Sequence, residues 1–161
     1  MGGDPTRPAR LSLLQAVVLL IGVLLVAMGV FGSVPGVTRR FADLHWCGDG
    51  SAAALFGVFT VSVLHNALHL ATGIAALAMC TTPVRARLCL VGLGGLYLAM
   101  WMYGLLVTSL VAATNLLPVN LADTWLHLSL GIAMTGLGAI LPWPPEYLGD
   151  PADRRTVPER R

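Results

Sequence analysis

The chain has 161 residues, 56% of them hydrophobic and only 11% charged, with a formal net charge of +2. Together with a mean hydropathy of +0.76, this composition excludes an ordinary soluble domain. So small a charge calls for no nucleic-acid partner.

A hydrocarbon core needs about 20 apolar residues per helical span, and four runs meet that length: residues 11–31, about 60–80, 88–111 and about 120–141. The expected fold is therefore all-α, an integral membrane four-helix bundle over residues 11–141 with an outer loop at 32–59. Tails at 1–10 and 142–161 leave too little chain for a separate soluble domain. All ten basic residues are arginines. Arg7, Arg10, Arg85, Arg87, Arg154, Arg155, Arg160 and Arg161 fall on one side of the four-span arrangement, against Arg39 and Arg40 on the other. The positive-inside rule then makes both termini cytoplasmic. The tail arginines, interleaved with Asp150, Asp153 and Glu159, read most simply as topology signals, with phospholipid contact as the alternative.

In chain order, residues 1–8 read as a flexible tail rich in Gly, Pro and Asp. The first apolar run follows Arg7 and Arg10 and holds a small-x-small site at Ala27 and Gly29, so it invites reading as a signal peptide. It is too long for a typical signal core, and its Gly22, Ala27, Met28 and Gly32 recur as Gly94, Ala99, Met100 and Gly104 at a constant offset of 72. It reads as a retained helix, ended by Gly32, Pro35 and Gly36. In the outer loop, His45, Trp46, Cys47 and Asp49 fit no metal-ligand spacing, and Trp is usual at a membrane interface. The apolar stretch AAALFGVF, Ala52 to Phe59, would over-lengthen the second span if joined to it, and reads as an interfacial or re-entrant piece. The second span then starts near Thr60 and ends at Cys80, with Pro83, Arg85 and Arg87 in a cytoplasmic turn. In the third span, Gly92, Gly94 and Gly95 read as close-packing positions. The prolines after the fourth span lead into a disordered tail. Cys47 is separated by topology from Cys80 and Cys89, so no structural disulfide is expected; an intermolecular one through Cys47 stays open.

Two stretches concentrate the polar residues. SVLHNALHLATG, Ser62 to Gly73, carries His65, Asn66 and His69; NLADTWLHLSLG, Asn120 to Gly131, carries Asp123 and His127 at an offset of 58, along with a repeated Val61, Leu68, Leu70 and Gly73. The two halves read as a duplicated helical hairpin, whose parallel repeats are related by an axis along the membrane normal. Residues four apart share a helix face, so His65 with His69 and Asp123 with His127 would meet at that axis. His65 would then oppose Asp123, and His69 would oppose His127. Ser62 and Asn120 would cap the set.

These motifs, FGxxPGxT from Phe31, VxxLHNxxHLxxG from Val61 and LLPVNxADxxLHLxxG from Leu116, carry a resemblance. Over about residues 12–141 the chain resembles the bacterial membrane-protein family catalogued as domain of unknown function 4383, common in actinobacteria. The family usually has Asn where this chain has Ser62. The resemblance implies a four-span architecture in a bacterial inner membrane and no particular activity.

The readings of the polar set are several. Ser62, His65, Asn66, His69, Asn120, Asp123 and His127 would hold spans two and four together, Asn120 and Asp123 forming a capping-box-like pair. Alternatively, His65, His69, Asp123 and His127 supply a tetrahedral transition-metal set. A haem b between His69 and His127 and a proton or ion pathway are the further alternatives. No catalytic constellation is present: no phosphate loop, no paired carboxylates, and no nucleophile with an oxyanion donor set. The expected function is a non-enzymatic structural or accessory subunit without a cofactor. Its partners would be the lipid bilayer and other membrane proteins or further copies of itself.

Overall fold

The computed structural model describes residues 11–48, 50–109 and 116–143. Asp49, most of the tails expected at 1–10 and 142–161, and part of the turn before Pro118 lie outside them. Four helices dominate: α1 (Leu13–Phe31), α2 (Val63–Met79), α3 (Pro83–Ser109) and α4 (Leu121–Ile140). Between α1 and α2 lie three short antiparallel strands, β1 (Thr38–Arg39), β2 (Ala54–Leu55) and β3 (Phe59–Thr60), in that spatial order.

Helix starts follow side-chain capping. Ser12 and Gln15 close a capping box on α1, each side chain bonded to the other's backbone N–H. Ser62 caps α2 by accepting from His65 N at 3.1 Å, so this helix begins at Val63, three residues after the expected start. Pro83 opens α3, where a residue without an N–H loses nothing. The Thr82 hydroxyl accepts from Arg85 N, and the Thr82 carbonyl from Ala86 N. Arg85 and Arg87 therefore stand on the first two turns of α3. The turn expected at these residues is instead the start of α3, because Pro83 is its first helical residue and not part of the connection.

The helices pair as two hairpins, α1 with α2 and α3 with α4. Close approach in each depends on facing glycines. A Cβ on Gly22 would lie 2.9 Å from Leu77 Cγ and 3.1 Å from the Gly73 carbonyl; one on Gly73 would lie 2.7 Å from Val26 N. In the second hairpin Gly94 faces Thr135 and the Gly131 carbonyl, and Gly131 faces Leu98. Gly32 abuts Asn66, and Gly104 abuts Thr124. Gln15 on α1 donates to the carbonyls of Cys80 and Thr81, just past the end of α2, at 3.1 and 3.0 Å. Arg87 on α3 donates to Gly138 and Leu141 at the end of α4, with its guanidinium 4.2 Å from the Trp143 ring. These contacts correspond at the offsets of 72 and 58, Gln15 standing where Arg87 stands and Cys80 where Gly138 stands.

Two glycines expected to serve packing do not. A Cβ on Gly92 or Gly95 would meet nothing within 4 Å, because both point away from α4. Leu14, Val18, Leu25, Ala76, Leu90, Tyr97 and Met134 form the core, which runs through both hairpins.

The apolar stretch at residues 52–59, expected as an interfacial or re-entrant piece, forms a β-hairpin with Thr60. Phe56 and Gly57 both adopt left-handed φ, 52° and 74°, and Val58 N bonds back to Leu55 O. This is the twist that hairpin turns favour. The Phe56 ring rests edge-on against Phe31, 6.2 Å between centroids. Ala53, Leu55 and Val61 form a small second core with Met28 and Phe59. Alternation of side chains across the pleat buries this set, and periodicity alone does not identify so short an apolar run as strand.

Gly73→Ala should destabilise the protein by about 1–3 kcal/mol, as expected for overpacking. Gly92→Ala should stay within about 1 kcal/mol of the parent. Thermal unfolding of the purified proteins in detergent compares them, and equal effects would contradict the packing assignment.

Candidate functional site

The polar residues gather where α2 and α4 begin, and they divide into two groups with different partners. The first is a cap. Asn120 accepts from Asp123 N at 2.9 Å, and the Asp123 carboxylate accepts from Asn120 N at 2.9 Å. The same carboxylate oxygen accepts from Thr60 N at 3.0 Å, while Asn120 Nδ2 donates to Val58 O at 2.7 Å. Val58 O and Thr60 N lie on the edge of β3 facing away from β2. The two side chains thus complete that edge as a further strand would. Asp123 is 2% exposed, and its burial is offset by these two backbone donors.

The start of α2 is satisfied by the long loop. His45 O and Trp46 O accept from Val63 N and Leu64 N, both at 3.0 Å, and Ser51 Oγ donates to Val61 O at 2.6 Å. The His45–Trp46 tract therefore serves α2 through its carbonyls, and the His45 ring packs on Gly50. Cys47, Cys80 and Cys89 are all free thiols.

The second group is a row of rings. His65 stacks on His69 with centroids 4.8 Å apart and 18° between planes; His127 lies 5.9 Å from His65; Tyr97 meets His127 edge-on at 5.5 Å. These rings line a cavity of about 70 Å3, open on one side, with Leu68, Thr72, Leu96, Met100 and Leu117. Ligand pockets for drug-sized molecules run to roughly 300–1,000 Å3, so the enclosed space is small beside them. His69 Nδ1 lies 3.1 Å from the carbonyl of His65 one turn earlier. Nδ1 of His65 and of His127, residues 4% and 3% exposed, have no hydrogen-bond partner among the described residues.

The expected pairing is thus rearranged. His65 faces His127, not Asp123, because the carboxylate is drawn out of the axis by its own cap and by Thr60. Asn66 stands on another face of α2, donating to Ser33 Oγ at 3.3 Å beside α1, and takes no part in joining the hairpins. Among the described residues, no three His, Cys, Asp or Glu side chains are placed to hold a metal ion. The residue pattern alone does not mark Tyr97, Thr72 or the Thr60 N–H as part of the site, and it marks Met100 only as a repeat position. Tyr97 answers to Leu25 at the offset of 72, so the repeat gave it no mark.

Two of the helices, Leu13–Phe31 and Pro83–Val107, are long and apolar enough to cross a membrane. Fold and site together define an apolar four-helix protein in which a capped sheet edge and a histidine cavity share one end. The chain belongs to the family described as Domain of unknown function (DUF4383), whose model matches residues 15–140. No curated protein and no solved structure matches the chain.

Asp123→Ala removes the acceptor for two backbone N–H groups and should cost about 2–4 kcal/mol. Asp123→Asn keeps an acceptor oxygen and should cost roughly half as much. Thermal unfolding with the two variants side by side reads the difference, and a parent-like Ala variant would show that the sheet edge needs no such acceptor.

Proposed function

We propose that the protein is a multi-pass component of the bacterial cell membrane. It crosses the bilayer four times as a duplicated helical hairpin with both termini cytoplasmic, and acts as a structural or accessory subunit without catalysis of its own. The observation that carries this reading is how the buried carboxylate of Asp123 is used: it spends its bonds on Asn120 N and Thr60 N, joining a loop to a helix end.

Further support comes from the distribution of surface residues. Leu20, Val23 and Leu24 on α1 and Leu88, Val91 and Leu106 on α3 are exposed, as lipid-facing residues are. Exposed Trp46, Phe56 and Trp125 gather at the end where α2 and α4 start, in the manner of an interfacial aromatic belt. Arg85 and Arg87 stand at the opposite end. The matched contacts of the two hairpins support the duplication, since paired substitutions at both offsets preserve the same helix approach. On this reading the partners are the bilayer and other membrane proteins, or a second copy.

Cys47 supplies the topology test. In intact cells an impermeant maleimide should label Cys47, while Cys80 should react only after permeabilisation and Cys89, buried in the core, only after denaturation. Protection of Cys47 until the membrane is opened would reverse the orientation. Purification in mild detergent should recover the chain with another membrane protein or as an oligomer; a lone monomer would count against the accessory role.

A further inference from the structure

We propose that the tip of the β2–β3 hairpin, with Arg39 and Arg40 beside it, holds the headgroup of an anionic phospholipid in the outer leaflet. The inference rests on the membrane location proposed above and gives the outer loop a partner that the structural role leaves unnamed.

The depth of the tip comes from α1. Leu13, Leu20, Leu24 and Phe31 are all exposed, and at helical spacing they fall within about 40° of one another around the axis. From Leu13 to Phe31 this apolar stripe runs about 27 Å at the helical rise, against about 30 Å for the hydrocarbon core of a bilayer. Its last member, Phe31, meets the ring of Phe56 at the hairpin tip, 6.2 Å between centroids. The tip therefore stands where hydrocarbon gives way to headgroups. Phe56 and Val58 are 51% and 49% exposed, and apolar side chains at that depth lie against the upper ends of acyl chains.

The charge comes from β1. Thr38 pairs with Leu55, which brings Arg39 alongside the turn: a Cβ on Gly57 would lie 2.9 Å from Arg39 Cδ and 3.0 Å from its Nε. The bare backbone of Gly57 thus lets the Arg39 side chain lie over the tip. Arg40 follows with left-handed φ, 50°, and both arginines are exposed. Among the described residues neither pairs with a carboxylate. Asp43, close by in the loop, is exposed and makes no ion pair there, and Asp123 is spent on Asn120 and Thr60. Arg39 and Arg40 also run against the positive-inside bias set by the arginines of the opposite side, so they do not serve as topology signals. Guanidinium groups take phosphate oxygens in bidentate fashion, and the phosphodiester of a phospholipid lies just beyond the end of such a stripe. A headgroup with its own cation, choline or ethanolamine, would set that cation beside two arginines. The site therefore selects a headgroup without one, that of phosphatidylglycerol.

The test is native mass spectrometry of the full chain released from detergent micelles carrying phosphatidylglycerol or phosphatidylcholine, with bound lipids counted per chain across a titration. Arg39→Gln with Arg40→Gln should lose one bound phosphatidylglycerol, its affinity falling at least fivefold, with phosphatidylcholine binding and the unfolding temperature in lipid-free detergent unchanged. Val58→Glu, which sets a carboxylate at the tip, should lose the same lipid, and the three substitutions together should lose no more than either set alone. An excess of inorganic phosphate should leave the lipid in place. Unchanged counts in both variants, an equal loss of phosphatidylcholine, a second lipid lost in the combined variant, or displacement by inorganic phosphate would overturn the proposal. Carbonate washing of cell membranes separates the two levels: protein that stays with the membrane but holds no such lipid overturns the headgroup site alone, whereas protein that washes off overturns the membrane reading with it.

Discussion

The bond between the Asp123 carboxylate and Thr60 N is the constraint on which the rest of this end of the molecule depends. β3 is only two residues long and has β2 on one edge. Its other edge would present bare N–H and C=O groups, expensive wherever water is scarce. Asn120 and Asp123 meet those groups with side chains while also closing the first turn of α4. One pair of residues thereby satisfies the start of a helix and the edge of a sheet, and fixes the loop between α1 and α2 on the opposite hairpin.

That use of Asp123 explains the histidines. A carboxylate left in the bundle would have been the natural partner for an imidazole, and the cluster would have closed on itself. With Asp123 withdrawn, His65, His69 and His127 share a cavity with Tyr97, and two ring nitrogens stay without partners among the described residues. The matching positions of the two hairpins have thus diverged in role. At the third residue of α2 the side chain of His65 turns into the cavity; at the third residue of α4 the side chain of Asp123 turns back to the cap. The glycine contacts and the polar C-terminal caps, Gln15 in one hairpin and Arg87 in the other, show no such divergence, because they set the helix spacing that both halves share.

The positions of the helices and their pairing into hairpins were legible in the residue pattern. Helical runs of apolar residues are local, and the capping of α1, α2 and α4 by Ser12, Ser62 and Asn120 is decided within one turn of chain. The start of α3 was misplaced because Pro83 reads equally as a breaker and as a first helical residue. The strands at residues 54–60 were missed because two-residue strands carry too little alternation to outweigh an apolar run. Family membership was legible too, since it rests on local motifs around Phe31, His65 and Asp123.

Sequence by itself determined the apolar helices, the recurrence of Gly22 and Gly73 as Gly94 and Gly131, and the residues able to be polar among them, because each follows from composition and spacing along one chain. Only the tertiary structure decided which polar groups meet. Thr60 reaches Asp123 across 63 residues, and Tyr97 reaches His127 from another helix. Neither contact leaves a periodic signal, since a hydrogen bond between distant segments depends on how the hairpins dock and not on the spacing within either one. The division of one polar set into a spent carboxylate and an open histidine cavity is a product of that docking.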